Sequence, residues 1–131
     1  MQNPPDANLT IWASGGEVAR AFELVKLLQD AKPSIRPRIV NPRFLLPFDD
    51  ATAVTLADTP QVILDDYSSD GLTHSVRCAL STANKQAEIL SFAWPDNVIV
   101  PHGSLCELRN AYNLTLPQIA QAILASLKPK A

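Results

Sequence analysis

The chain is poor in cysteine and has no excess of positive charge. Two cysteines in 131 residues cannot make the disulfide framework of a small secreted domain, so the expectation is a cytoplasmic protein with reduced thiols. Lysine and arginine number 11 against 13 aspartates and glutamates, for a net charge of −2. That balance argues against nucleic acid as the main partner, which calls for a basic face. No apolar run approaches the roughly 18 residues of a membrane span, so no membrane partner is expected. The opening MQNPPDAN lacks the basic and apolar regions of a signal peptide. Also missing are a full G-x-G-x-x-G fingerprint, a P-loop lysine motif, internal repeats and low-complexity segments. What remains is 47 % hydrophobic and 18 % charged, ordinary for one compact domain long enough to bury a core without staples.

The stretch Gln61–Leu80 (QVILDDYSSDGLTHSVRCAL) organises the rest. Val62, Ile63 and Leu64 read as a strand buried on both faces. Asp65, Asp66 and Tyr67 stand where that strand should end. Ser68–Gly71 make a turn into a helix whose apolar members are Val76, Ala79, Leu80 and Ala83. In open α/β sheets, contacts gather at the carboxyl ends of strands. The working edge is therefore expected near Asp65–Gly71.

The other elements fall in order around it. Residues 1–8, with Pro4-Pro5, read as a flexible lead-in or linker, and 9–131 as the domain. Leu9–Ala13 is a first strand, and Ser14-Gly15-Gly16 a tight turn. Glu17–Asp30 is a helix with Val18, Ala21, Phe22, Val25 and Leu28 on one face. Arg38–Val40 begins a second strand. Asp49 or Asp50 caps a short helix to about Ala57. Glu88–Phe92 is a strand, and Asn97–Val100 a short fifth. Ser104 and Glu107 give a capping-box start to another helix. Thr115 caps the last helix, whose apolar face is Ile119, Ala122, Ile123 and Leu127. Alternation of strands and helices implies an α/β three-layer domain.

Five constellations carry chemistry, each with a plainer structural alternative. Gly15-Gly16 before a helix offers a bare backbone to an anion, or is simply a tight turn. His74 and Cys78, like His102 and Cys106, are four residues apart. Together they form a candidate zinc set or Cys–His nucleophile, against the ordinary reading of buried thiols and chance spacing. Asp65-Asp66 suits a cation, a general base or a partner's basic residues, or is a solvated loop. Arg36, Arg38 and Arg43 suit phosphate or carboxylate, but more commonly line a solvated edge. Trp12 and Trp94 read as core or interface aromatics.

The segments LTIWASGGEVARAFELVKLL, RIVNPRFLLPFDD, QVILDDYSSDGLTHSV and PDNVIVPHGSLCELRNAYNLTLPQIAQAI resemble the C-terminal domain of the transketolase family of thiamine-diphosphate enzymes. Within it they are most similar to the 1-deoxy-D-xylulose-5-phosphate synthase branch, with the β subunits of 2-oxoacid dehydrogenases as a cousin. Two departures stand out: Asp65-Asp66 where members usually carry one or two glutamates, and Ser68-Ser69-Asp70-Gly71 where a glycine-rich loop is usual. The resemblance implies a three-layer α/β/α sandwich on a five-stranded mixed sheet, its first strand antiparallel to the others. The Gly15-Gly16 turn would then lie at the opposite sheet end from Asp65-Asp66.

In that family the cofactor diphosphate is held by a G-D-G…N motif in the first domain. A glutamate of the middle domain activates the thiazolium. Here Asp70-Gly71 follows Ser69, so the motif is not matched. The resemblance implies that this chain binds no cofactor and carries no catalytic residue. Thiamine diphosphate and magnesium would sit in partner domains. The chain would be a non-catalytic assembly domain, a fragment of a longer transferase or a separately encoded subunit, in a homo-oligomer. Asp65, Asp66 and Tyr67 would face the partner domain, and His102 would steady the last turn. The alternative from another class is a stand-alone small-anion or nucleotide-binding module built on Gly15-Gly16.

Overall fold

The computed structural model describes residues 7–13, 17–41, 53, 55, 58–68, 72–94 and 114–126; for 65–68, 93 and 94 it describes the backbone alone. Four strands form one sheet in the order β2-β1-β3-β4. They are β1 (Leu9–Ala13), β2 (Pro37–Val40), β3 (Gln61–Ser68) and β4 (Ile89–Trp94). Three helices pack on it: α1 (Glu17–Ala31), α2 (Leu72–Thr82) and α3 (Leu116–Ser126). Of the short helix expected before β3, Ala53 and Thr55 are described, and both are helical. The expected fifth strand and the helix beginning at Ser104 lie outside the described residues.

All described pairings are parallel. The antiparallel first strand that the resemblance implies is therefore corrected. β1 pairs in parallel with β2 (Ile11 opposite Ile39) and with β3 (Trp12 opposite Ile63). The reason is the connection: α1 is 15 residues long and carries the chain back along the sheet, so β2 starts again at the end where β1 started. The two crossovers leave the centre in opposite directions, β1-α1-β2 to one side and β3-α2-β4 to the other.

Alternation along the strands sorts the core into two layers. Leu9, Ile11 and Ala13 of β1 join Val62 and Leu64 of β3 against α1 and α3. Trp12 and Ile63 belong to the opposite cluster, with Leu72, Val76, Ala79 and Leu80 of α2. Successive side chains of a strand point to opposite faces, and both faces are covered, as parallel sheets require.

On α1 the buried stripe is Glu17, Ala21, Leu24, Val25 and Leu28. Phe22, expected on that face, is 43 % exposed. Each residue turns the helix by about 100°, so small Ala21 faces the core and Phe22 is rotated off it. On α3, Ile119, Ala120 and Ile123 are buried. Ala122, expected inside, is exposed, and Leu127 lies outside the described residues. Thr115 caps α3 as expected: its carbonyl accepts the Ile119 N–H at 2.9 Å, and its own N–H donates back to Gln118 Oε1 at 3.2 Å. Gln118 therefore plays the returning half of a capping box.

Helix α2 ends in a Schellman motif. Lys85 N–H donates to the Leu80 carbonyl at 2.9 Å and Asn84 N–H to that of Ser81 at 3.1 Å, with Asn84 in the left-handed region at φ 59°. Replacing Asn84 by valine should cost about 1–2 kcal/mol, because a β-branched residue resists that conformation. Glycine there should be neutral or slightly stabilising. Urea midpoints of the two variants check both signs.

Candidate functional site

The parallel register moves the candidate site as well as the strand. Ala13 pairs with Leu64, so the carboxyl end of β1 and the point where β3 passes Leu64 lie at the same edge of the sheet. The carboxyl end of β1 and the Asp65-Asp66 pair of β3 thus belong to one end of the sheet, not opposite ends. This is also where the two crossovers diverge, between β1 and β3. Such a switch point is where open α/β sheets place their crevice.

β3 does not stop at Leu64, as the acidic pair suggested; it runs to Ser68. Its pairing with β4 shifts there: Leu64 faces Phe92 and Ser68 faces Trp94, so β3 advances four residues while β4 advances two. Asp65, Asp66 and Tyr67 form this bulge. The bulge follows directly on the buried run Val62, Ile63 and Leu64. Bulges bend a strand and re-aim its side chains, and they recur beside functional sites. His102, Gly15 and Gly16 lie outside the described residues.

The start of α1 bears on the anion alternative. Glu17, in the first helical turn, is 5 % exposed. Arg20 Nη1 donates to Glu17 Oε2 at 2.8 Å, and Arg20 Nη2 donates to the Leu114 carbonyl at the approach to α3. The positive end of the helix dipole is thus already served by a carboxylate of the chain itself. That weakens the case for an external phosphate there, although the shared edge removes the geometric objection to it.

The other candidates separate. Arg38 is not on a solvated edge. Its Nε donates to Thr10 Oγ1 at 2.7 Å, and its Nη2 to Asp58 Oδ1 at 2.7 Å. Thr10 and Thr59 hydroxyls lie 2.6 Å apart. Gln61 accepts from Trp12 Nε1 at 2.7 Å and donates to the Thr59 carbonyl at 2.8 Å. This buried polar ladder sits at the amino end of the sheet and stitches β1, β2 and the entry to β3. Sequence reading missed it, although Thr10 and Gln61, polar residues inside strands covered on both faces, were a signal. Arg36 is exposed, its N–H donating to Asn8 Oδ1 at 2.8 Å. Asn8 Nδ2 in turn donates to the Ser34 carbonyl at 3.0 Å. Arg43 lies outside the described residues.

His74 and Cys78 do share a helix face, with Cys78 Sγ 3.4 Å from His74 Nε2. That face is exposed, so this cysteine is not the buried small hydrophobe of the ordinary reading. Cys106 lies outside the described residues. Among the described residues, no three His, Cys, Asp or Glu side chains are grouped as metal ligands. Among the same residues, no helix is long and apolar enough to cross a membrane.

Comparison with known proteins agrees with this architecture. The family described as "Transketolase, C-terminal domain" matches residues 2–119. The 1-deoxy-D-xylulose-5-phosphate synthase of Dehalococcoides mccartyi is 30 % identical over 124 residues, which are 91 % of this chain and 19 % of that protein. The synthase of a Synechococcus species is 34 % identical over 119 residues, 88 % of this chain and 18 % of that one. The chain thus spans about a fifth of the length of these curated relatives. Among solved structures, a split-gene transketolase described as an inactive beta4 tetramer superposes with a TM-score of 0.78 at 26 % identity, covering 95 % of this chain and 40 % of that one. The transketolase of Leishmania mexicana, at 21 % identity, shares the fold with a TM-score of 0.69 over 98 % of this chain and 18 % of its own. With a family match over most of its length and the same architecture in solved relatives, the chain belongs to the transketolase C-terminal domain family.

Proposed function

We propose that the chain is the non-catalytic assembly domain of a thiamine-diphosphate-dependent transferase most like 1-deoxy-D-xylulose-5-phosphate synthase. It docks on domains that hold thiamine diphosphate and magnesium, within a cytoplasmic homo-oligomer. The match over residues 2–119, in relatives about five times longer, carries this reading. The docking edge is the carboxyl end of β1 and β3. Asp65, Asp66 and Tyr67 present the bulge to basic groups of the partner domain, and His102 steadies the turn before the following helix. The bulge at the switch point supports that choice of edge.

The experiment is the native mass of this polypeptide in its source cells, with thiamine diphosphate assayed in the same fraction. A large cofactor-bearing particle supports the proposal, whether the catalytic domains are on a second polypeptide or on the same one. A small particle without cofactor overturns it and returns weight to an anion-binding module at Gly15-Gly16.

A further inference from the structure

At the amino edge of the sheet, away from the proposed docking edge, the end of α2 and the start of β4 border an open cleft of about 480 Å³. Its size lies within the roughly 300–1,000 Å³ of small-molecule sites. Leu80, Ala87 and Ile89 supply apolar lining, and Arg77 and Lys85 supply charge. Among the described residues no acidic side chain lines it, in a chain whose acids outnumber its bases. Both cations are exposed. Among the described residues neither side chain meets a carboxylate, whereas Arg20 and Arg38 are each paired with one. The Schellman turn fixes the backbone of Asn84 and Lys85, so the main chain of one wall, from which the exposed Lys85 side chain extends, is set before any ligand arrives. Preorganisation of that kind lowers the ordering cost of binding.

From this arrangement we propose that the cleft binds a small organic anion with an apolar body. The body lies on Leu80, Ala87 and Ile89. The carboxylate meets Arg77 and Lys85, whose charge-assisted hydrogen bonds are the stronger kind. Attraction of Lys85, just past the helix, to the carbonyl end of α2 is a separate matter: it affects helix stability and predicts no ligand.

The test is a titration of the isotopically labelled 131-residue chain with octanoate, followed by amide chemical shifts. Saturable shifts confined to Arg77 and Asn84–Ile89 are expected. The Arg77→Ser, Lys85→Ser double variant should weaken binding roughly tenfold or more, as the loss of a charged anchor implies. Octanol and inorganic phosphate, each offering half of the chemistry, should bind less well than octanoate. Absence of saturable shifts in the cleft overturns the proposal. So does equal binding of octanol, which would make the cleft merely apolar, or of phosphate, which would make it merely cationic. Both substituted residues are exposed, and an unchanged spectrum outside the cleft verifies that the variant is folded.

Discussion

Trp12→Ala should destabilise the domain by about 3–5 kcal/mol, the range for emptying the site of a buried large aromatic. A domain is held folded by only about 5–15 kcal/mol, so the change consumes a large part of the margin. Trp12 is 1 % exposed and fills the layer between the sheet and α2 with Ile63, Leu72 and Val76. It also carries a polar duty. Its Nε1 donates to Gln61 Oε1, and Gln61 Nε2 donates on to the Thr59 carbonyl. Trp12→Phe separates the two contributions. Phenylalanine keeps most of the apolar contact but takes from Gln61 the donor at 2.7 Å, at a cost of about 1–3 kcal/mol. Denaturant midpoints at an unchanged slope read both effects. A cost below about 1 kcal/mol for the alanine variant would mean that this face of the sheet closes over the gap, contrary to how cores of native density behave.

The elements of the fold were legible because periodicity is a local property. β1 and α1 begin at the residues the pattern indicated, and Thr115 caps α3. What failed was rotation and direction. Phe22 and Ala21 are neighbours in an apolar stretch, and sequence does not say which of them meets the sheet; the packing of α1 against both β1 and α3 selects the smaller. The resemblance implies an antiparallel first strand, yet the 15-residue helix between β1 and β2 is the kind of crossover that joins parallel strands. The difference carries further, because an antiparallel first strand would put the carboxyl end of β1 at the opposite sheet end from Asp65-Asp66, whereas Ala13 pairs with Leu64.

The acidic residues after an apolar run were plain in the sequence, but the form of that end of the strand was not. Asp65 reads as the end of a strand only if strands must be buried; in fact β3 keeps pairing beyond Leu64 through a register shift. The ladder of Arg38, Thr10, Thr59 and Gln61 was hidden for a different reason. Its members come from three separated segments, and a half-buried arginine looks in sequence like a surface one. Burying it requires hydrogen-bonding partners, here two hydroxyl groups and the Asp58 carboxylate, which only the tertiary fold brings together.

Reversing charge at the bulge, with Asp65→Lys and Asp66→Lys together, should weaken assembly with the cofactor-bearing domains by about 100-fold or more. Like charges brought together at an interface cost several kcal/mol, and about 2.8 kcal/mol already gives that factor. The fold itself should be spared. Both positions lie beyond the buried run Val62–Leu64, in the stretch where the pairing of β3 with β4 shifts. Arg77→Glu, at the amino edge, is the matched control: it changes charge by the same amount per site but far from the docking edge, so assembly should be unaffected. Sedimentation or mass photometry of the reconstituted complex, with thermal melting of each variant alone, distinguishes a lost interface from a lost fold. If the double variant assembles as tightly as the parent, the bulge is not the docking surface, and the interface must lie elsewhere on the domain. If it assembles poorly while Arg77→Glu does not, the carboxyl edge of β1 and β3 is the surface that holds the domain in its enzyme.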